Sequence, residues 1–530
     1  MAGFFTRTKG DMKYLFKNKQ DLSKKERRRK RRGWSTIIGI VLVLIQLVMT
    51  VLFLLKLYKL DMLPLKYIIM VDIILVLIAL YNFASQFTKA HIFGKVLSVL
   101  MAGILTFTFL FASKLDSALS SITNTVTQTD IINVVVLKDD KAASISDALS
   151  YTFGYNKSVN ETNTQKAIED INSDNNTTIA TKEYTEWSDV ISALYSGTEI
   201  KAMIFNNSLY TTLNEQFTDF KEKTKVIGTV EITTKIKVEQ GEKKVNGEPF
   251  ILYISGNDGE GEIASQGHSD VNILVCINPK TRQVLLISTP RDSYVKMHNA
   301  DGREGLDKLT HAGNPGIEYS IDAIENLYGI NIDYYMKINF TGCIEVVDAL
   351  GGITINSSVE FHNGYEAYDK TFYYNIGPNE CNGEQTLAFV RERKAFGAGD
   401  FQRGKNQQAA ITGIINKITS PSILANYGPL LDSLNKVVVT NMSTETISSL
   451  VKAQLSDTRA WNVQSYSIEG TTGSKNGQVY DVYGMSVVLP YSDSINLAIQ
   501  LMSKVQNGDV FDVDEYVEQS KAEASSSANN

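Results

Sequence analysis

Two aspartates bracket a pair of apolar runs in the middle of the chain and could together hold a cation. Asp270 precedes the run Val271–Ile277, and Asp292 follows the run Gln283–Thr289. Nearly continuous apolar runs of this length are typical of strands buried on both faces. The residues between them, Asn278–Arg282, predict the turn of a hairpin.

The register of this hairpin predicts that both carboxylates meet at its open end. A turn centred on Lys280–Thr281 places Asp270 opposite Arg291 and within about 5–8 Å of Asp292. Carboxylates this close repel unless a cation lies between them, and hard oxygen ligands beside phosphate oxygens suit Mg²⁺, or alternatively Mn²⁺. Taken alone, these residues fit a loop end and a surface ion pair better.

The segment Thr386–Gln408 concentrates five Lys and Arg residues in a chain whose net charge is −6. Its first residues, Thr386–Val390, predict a strand, which would project Arg391 and Arg393 from one face if it continued that far. A solvated face has no need of arginines at alternate strand positions beside an apolar core. The pattern therefore favours an anion site.

A helix beginning near Asp400 adds a second pair of donors to this segment. Asp400 is a candidate N-cap, and Arg403 and Gln407 lie four residues apart on one helix face. The amino end of the helix favours anions, and the planar fork of arginine suits a pyrophosphate. Two carboxylates and an arginine cluster in one domain predict a phosphoryl-transfer site, the alternative being solvated surface charge.

Three apolar runs, Ser35–Leu55, Leu65–Ala84 and Val96–Ala112, predict three membrane helices within residues 35–112. Residues 1–34 hold 13 Lys and Arg against three acids, a charge of +10 that leaves −16 for the rest. This basic tail predicts a cytoplasmic amino terminus and hence export of the chain from about residue 113. Binding of nucleic acid or anionic lipid is the alternative for the tail, but the acidic remainder argues against a nucleic-acid partner.

Composition divides the exported part into three segments. Residues 113–238 predict an α+β accessory domain that begins with a linker, or the first turn of the domain, at Leu115–Thr129. Residues 249–505 alternate strand and helix patterns, which predicts an α/β domain, an α-β-α sandwich with a mixed sheet. Residues 506–530 predict a flexible tail, disordered after Tyr516. Three cysteines allow at most one disulfide and show no zinc-ligand spacing.

Four stretches resemble, in order and spacing, the LytR-CpsA-Psr family of envelope glycopolymer ligases. They are SDVNILVCINPKTRQVLLISTPRDSYV, DKLTHAG, INFTGCIEVVDALGGITIN and LAFVRERKAFGAGDFQRGKNQQ. The set is specific although each motif alone is weak, and the resemblance covers about Pro249–Ser503. Three spans followed by an extra domain resemble the streptococcal capsule branch, the CpsA-type proteins.

This resemblance implies a site in which Asp270 and Asp292 hold Mg²⁺, or Mn²⁺, against a polyprenyl pyrophosphate. The side chains implied to bind its phosphates are Arg291, Lys308, Arg391, Arg393, Arg403 and Gln407. Asp292, Arg291, Arg391 and Arg393 are the implied catalytic residues, and the lipid tail would lie in an apolar tunnel. Where relatives commonly have an arginine before Ser-Asp, this chain has His268, which would weaken one phosphate contact or make it pH-dependent unless another cation replaces it.

The implied reaction moves a glycan 1-phosphate, from capsular polysaccharide or a similar glycopolymer, to peptidoglycan. The carrier is a polyprenyl pyrophosphate, and the implied partners are this lipid-linked glycan, the peptidoglycan acceptor and membrane lipid. Proteins of the capsule export or kinase system are candidate partners of the accessory domain. The resemblance implies a cell-membrane protein of a Gram-positive type envelope with its catalytic domain outside.

Two other functions fit parts of the sequence. A polyprenyl-pyrophosphate hydrolase or lipid-binding protein would bind the same ligand but pass it to water or to nothing. A membrane-anchored transcription regulator would act through residues 1–34, but this short basic tail shows no helix-turn-helix or other DNA-binding fold.

Overall fold

The structure is a computed structural model that describes most of the chain in two compact units. One unit comprises Met1–Leu119 with Thr444–Thr458, and the other comprises Ser120–Ser443 with Arg459–Asn530. The described residues are 10–123, 125–158, 161–241, 247–257, 263–264, 266–300, 302–364, 370–397, 399–420, 430 and 437–528.

Three long apolar helices build the first unit, as predicted: α1 (Lys24–Leu60), α2 (Leu65–Ser85) and α3 (His91–Thr123). Each is long and apolar enough to cross a membrane. Buried polar contacts join them, since the Asn82 amide donates to Gln46 Oε1 at 2.7 Å and Asp116 pairs with lysines of α1.

The predicted linker Leu115–Thr129 is wrong, because α3 continues to Thr123 and a strand begins at Thr125. Leu115, Leu119 and Ile122 fall at helical spacing, a pattern that the Ser and Thr content of the segment obscures. Leu119 is completely buried.

A five-stranded sheet with helices forms the α+β accessory domain, with strand order β3-β2-β4-β1-β5. Successive residues of β1 enter two different cores, Val134 on one face and Val135 on the other, as the pleat of a strand requires. The strands are β1 (Thr125–Leu137), β2 (Thr152–Asn156), β3 (Ala180–Tyr184), β4 (Ala202–Asn206) and β5 (Thr224–Lys237). The helices are α4 (Glu161–Asp174), α5 (Trp187–Ser196), α6 (Tyr210–Gln216) and α7 (Phe220–Lys223).

A six-stranded mixed sheet of order β16-β11-β6-β7-β8-β17 forms the centre of the following domain. Strands β6, β7 and β8 are antiparallel neighbours, whereas β11 and β17 pair in parallel with β6 and β8. Its strands are β6 (Phe250–Gly256), β7 (Val271–Asn278), β8 (Gln283–Ser288), β11 (Tyr334–Ile338), β16 (Val438–Thr440) and β17 (Asn462–Ser467). Shorter pairs are formed by β9 (Tyr294–His298), β10 (Glu304–Lys308), β12 (Ile353–Ser357), β13 (Phe361–His362), β14 (Tyr373–Tyr374), β15 (Gly377–Cys381), β18 (Gly470–Lys475) and β19 (Met485–Pro490).

Helices cover both faces of this sheet, which confirms the predicted α-β-α sandwich. Leu274 and Ile287 pack with helix residues Ile324 and Leu501 on one face. The helices of the domain are α8 (Ile317–Tyr328), α9 (Phe340–Ala349), α10 (Gly383–Arg391), α11 (Asp400–Ile418), α13 (Ser492–Asn507) and α14 (Val513–Ala528), while α12 (Thr444–Ser456) belongs to the first unit. The three cysteines are free thiols.

The predicted hairpin register is confirmed. Asn278 pairs with Gln283 and Ile273 pairs with Ser288, so the turn centres on Lys280–Thr281. Arg282 takes a left-handed conformation, with φ 59°, to close the turn. The hairpin therefore delivers the residues that precede β7 and follow β8 to one edge of the sheet.

Two predictions in the cationic segment are wrong. Thr386–Val390 is part of helix α10, not a strand, because Asn382 and Gln385 form reciprocal capping contacts that start a helix. Asp400 is the first residue of α11 rather than its N-cap, and Gly399 holds the N-cap position with φ 52°.

The prediction of a disordered tail is also wrong, because α14 runs to Ala528. Val513 is buried in the main core, and Tyr516 and Val517 pack against it. These three residues form a short apolar face at helical spacing, too small to stand out in a polar segment.

Candidate functional site

A cleft at the open end of the β7–β8 hairpin brings together four of the predicted site residues. Its space, including the open mouth, is about 270 Å³. Asp270 and Arg291 line it from the hairpin, and Arg403 and Gln407 line it from α11. Two elements far apart in sequence thus present cationic, amide and carboxylate groups to one concave surface.

Asp270 is held by an ion pair and a hydroxyl. Arg291 Nη1 lies 2.7 Å from Asp270 Oδ1, and Thr310 Oγ1 donates to the same oxygen at 3.0 Å. Burial opposes ionisation of Asp270, but the charge of Arg291 holds its pKa below the ordinary value. Burial likewise opposes the charge of Arg291, yet Asp270 and Asp292 raise the pKa of the guanidinium.

Asp292 is buried among three cations. Arg393 Nη2 lies 3.6 Å from its Oδ2, and Lys308 Nζ lies 3.6 Å from its Oδ1. Arg291 Nε is 3.8 Å from Oδ1. Within the described part of the chain, Oδ1 is buried and accepts no hydrogen bond. This oxygen therefore has lone pairs available to bind a ligand.

Helix α11 contributes the second wall of the cleft. Arg403 pairs with Asp400. Burial raises the pKa of Asp400 against the opposing charge of Arg403, and the charge of Asp292 adds to the rise. The helix approaches β8 so closely that a Cβ on Gly404 would lie 2.9 Å from Ser288 Oγ.

The buried amide of Gln408 fixes this helix to the sheet. Its Nε2 donates to the carbonyl oxygens of Leu286 at 3.0 Å and Tyr466 at 2.8 Å, on the adjacent strands β8 and β17. Gln407, the preceding residue, is thereby turned toward the cleft. Leaving two buried carbonyls without their donor would be costly, so Gln408 sets the position of Arg403.

Arg391 and Arg393 flank a buried carboxylate, not an exposed strand face. Glu392 is fully buried and accepts hydrogen bonds from the backbone of Gly364, Arg393 and Ala395. Arg393 points to Asp292 from this turn. The Arg391 guanidinium stacks at 4.1 Å over the ring of Phe340, and among the described residues it is not part of the cleft wall.

His268 contacts the accessory domain. Its Nε2 lies 2.8 Å from Thr212 Oγ1 of α6. Burial, together with the charge of nearby His311, lowers the pKa of His268 to about 4, so the imidazole is neutral at pH 7. The weakened or pH-dependent phosphate contact expected at this position stays a prediction.

The carboxylates of Asp270 and Asp292 fit the way in which proteins commonly bind a magnesium ion. No group of three or more His, Cys, Asp or Glu side chains arranged for a metal occurs among the residues that the structure describes. Mg²⁺ is commonly held by one or two carboxylates together with substrate phosphates and waters. The buried Asp292 Oδ1 without a hydrogen bond suits this mode, so the residues fit the ion.

Some residues of the site were missed by sequence reasoning. Thr310 lies in the DKLTHAG motif, whose pattern predicts no role for it. Asp400 is predicted only as a cap, although its i, i+3 spacing from Arg403 signals an ion pair. Nothing in the local sequence marks Glu392 or Gln408 as buried anchors.

The fold and the site define a class of protein, namely an α/β domain with a candidate polyanion cleft, attached to three helices of membrane-spanning length. The chain belongs to the LytR_cpsA_psr family, whose family model matches residues 203–488. This confirms the predicted family; its CpsA-type branch remains a prediction.

The chain is similar to curated bacterial transferases. It is 33% identical over 213 residues to the polyisoprenyl-teichoic acid–peptidoglycan teichoic acid transferase TagU of Bacillus anthracis, covering 40% of this chain and 67% of that protein. It is 32% identical over 263 residues to the TagU of Enterococcus faecalis, covering 49% and 82%. Among solved structures, it is similar to protein gbs0355 of Streptococcus agalactiae, at 27% identity and a TM-score of 0.44, over 51% of this chain and 92% of that one.

Proposed function

We propose that this protein transfers a glycan 1-phosphate, from capsular polysaccharide or a similar glycopolymer, from a polyprenyl-pyrophosphate carrier to peptidoglycan. Its relatives are named polyisoprenyl-teichoic acid–peptidoglycan teichoic acid transferases, which supports transfer from a polyisoprenyl carrier to peptidoglycan. The observation that carries the proposal is the convergence of Asp270, Arg291, Arg403 and Gln407 on one cleft. A pyrophosphate would find planar cationic donors there.

The proposed reaction exchanges one phosphorus–oxygen bond for another. The acceptor hydroxyl oxygen bonds to the phosphorus that carries the glycan, and the bond from that phosphorus to the bridging oxygen breaks. Polyprenyl phosphate then leaves with the electron pair. The acceptor hydroxyl gives up its proton, and Asp292 is our candidate to take it.

The cationic side chains would stabilise the charge that builds up on the phosphate oxygens. In this proposal Arg291, Arg403 and Gln407 bind the pyrophosphate from the cleft wall, while Lys308 and Arg393 act beside Asp292. Arg391, stacked on Phe340, would contact the outer part of the substrate. Mg²⁺, or Mn²⁺, held by Asp270 and Asp292 would supply further charge neutralisation.

The proposed location is the cell membrane, with residues 1–34 in the cytoplasm and the family domain outside. Three helices of membrane-spanning length support the anchoring, and the basic run before the first supports the orientation. A tunnel for the lipid, and a capsule export or kinase partner for the accessory domain, remain predictions.

Mass spectrometry of lipid extracted from the purified full chain tests this proposal. We expect a polyprenyl (pyro)phosphate in the wild type and its loss from Arg403→Ala, which removes a cation of the cleft wall. Asp292→Ala should bind lipid but fail to transfer glycan to isolated peptidoglycan. Covalent glycan on peptidoglycan distinguishes a ligase from a hydrolase, and a wild type that neither carries nor binds polyprenyl pyrophosphate with Mg²⁺ would refute the proposal.

A further inference from the structure

Helix α6 of the accessory domain touches the segment that supports both site aspartates. Glu215 Oε2 lies 3.1 Å from His311 Nε2. Three residues earlier on the same helix, Thr212 Oγ1 contacts His268 Nε2 at 2.8 Å and accepts a hydrogen bond from the Asn314 amide at 3.0 Å. Residues three apart lie on one helix face, so a single face of α6 makes both contacts.

The segment 308–313, which carries His311, also contacts both site aspartates. Lys308 Nζ reaches Asp292, and Thr310 Oγ1 donates to Asp270. Its backbone is bonded there too, since the N–H of Thr310 donates to the carbonyl oxygen of Arg291 at 2.9 Å and the N–H of Ser269 donates to that of Thr310 at 3.0 Å. Displacement of this segment would move both carboxylates.

His311 anchors the segment through contacts with two carboxylates. It is completely buried, and its Nδ1 lies 2.8 Å from Asp307 Oδ1 while its Nε2 faces Glu215. Ionised carboxylates only accept hydrogen bonds, so the imidazolium form of His311 donates from both ring nitrogens and bridges the two acids. The rings of His268 and Tyr480 complete its surroundings at 5.4 and 5.7 Å.

Asp307 is also tied to the segment between β18 and β19. Its oxygens accept hydrogen bonds from the backbone N–H groups of Lys308, Val479 and Tyr480. Glu215 is therefore the contribution of the accessory domain to a chain of contacts that runs through His311 to the site.

We propose that Glu215 is a positioning residue for the transfer site and that the accessory domain, through α6, holds Lys308 and Thr310 in register with Asp292 and Asp270. The activity part of this inference depends on the proposed function. Outer partners of metal ligands typically contribute about 10–100-fold to metal affinity or activity. This assigns a positioning role to the accessory domain.

The experiment compares Glu215→Ala, Glu215→Gln and the exposed control Glu222→Ala in the full chain in detergent. Hydrogen exchange followed by mass spectrometry should show faster exchange in peptides covering 269–270 and 308–313 for Glu215→Ala, with no change for the control. This readout requires no substrate. Transfer kcat should fall about tenfold with little change in KM, and Glu215→Gln, which retains an acceptor oxygen, should recover part of it.

The outcomes separate the two proposals. Exchange and kcat equal to wild type in Glu215→Ala would overturn the positioning role. If the wild-type protein shows no transfer but Glu215→Ala still exchanges faster than the wild type, the proposed function is refuted and the positioning role remains supported. If Glu215→Ala does not fold, Glu215→Gln decides: NMR of the five histidines should then show a lower pKa for His311, and an unchanged pKa would contradict the contact.

Discussion

Arg291 Nη1 lies 2.7 Å from Asp270 Oδ1 across the open end of the β7–β8 hairpin. The two residues are 21 positions apart in sequence, and the strand register alone brings them together. The same guanidinium also lies near Asp292, so one arginine neutralises part of the repulsion between the carboxylates. Its side chain remains one-quarter exposed, which leaves it accessible to a ligand.

Substitution of Arg291 should therefore affect both stability and transfer. Arg291→Ala leaves Asp270 without its cation and is expected to lower the free energy of unfolding by about 2 kcal/mol and to abolish transfer. Arg291→Lys should restore part of the stability but not the transfer, because lysine lacks the planar fork. Denaturant unfolding and a transfer assay test this. Arg303→Ala, which removes an exposed ion pair with Asp481, is the control, and equal stability losses in the two variants would contradict the prediction.

Arg391 and Arg393 should be required for transfer but not for folding. Arg393 is 43% exposed beside Asp292, so Arg393→Ala should fold normally and lower kcat about 10²–10³-fold, as loss of one donor to a developing oxyanion does. Arg391→Ala should also abolish transfer, with only the modest loss of its contact with Phe340. Circular dichroism and the transfer assay test both variants. Wild-type activity in either would remove that arginine from the mechanism.

Removal of divalent metal should stop transfer. Chelation by EDTA is expected to abolish activity, and Mg²⁺ or Mn²⁺ should restore it, because both prefer carboxylate and phosphate oxygens. Asp292→Asn should lose the response to added Mg²⁺, whereas the exposed control Asp189→Asn should keep it. Full activity after chelation would show that the two aspartates do not work through a metal.

The buried His311 and its partly exposed partner Glu215 should shape the pH dependence of stability. Burial opposes the charge of Glu215, but its hydrogen bond with His311 and the charge there lower its pKa to about 2. This stabilisation is present above the ordinary pKa of 4.5 and is lost as the pH falls toward 2. Burial also opposes protonation of His311, yet Asp307 and Glu215 raise its pKa above 6.5, so its contribution is complete below 6.5 and is lost as the pH rises through the raised value.

Unfolding measured across pH tests both halves of that profile. Glu215→Gln should flatten the loss of stability between pH 4.5 and 2, and His311→Gln should flatten the loss above pH 6.5. Glu222→Gln should leave the profile unchanged. A wild-type profile in Glu215→Gln would mean that this carboxylate is not linked to the histidine.

The three helices should place the family domain outside the cell. Alkaline phosphatase fused after Asn530 is expected to be active, since the enzyme requires export, whereas a fusion after Thr88, between α2 and α3, should be inactive. A fluorescent protein that matures only in the cytoplasm should give the reverse pattern. Activity at both junctions would contradict three spans with a cytoplasmic amino terminus.

Much of this architecture is readable from local patterns. The apolar runs of the membrane helices, the two buried strands and the Asn278–Arg282 turn each depend on residues within one segment, and the hairpin register then follows from the turn. The cationic segment was harder, because Thr386–Val390 has strand-like composition while a capping box four residues upstream makes it helical. The capping box and the burial of Phe389 outweigh the local strand propensity there.

The sequence by itself determined the anchor, the alternation of strands and helices, the family and the pairing of Asp270 with Arg291. Only the tertiary structure decided that Arg403 and Gln407 face those residues, that Arg391 stacks on Phe340 and that His268 turns toward Thr212. It alone joined Glu215 to His311, which lies 96 residues further along the chain. Contacts of this kind depend on how separately folded elements pack, and no periodicity within a segment encodes them.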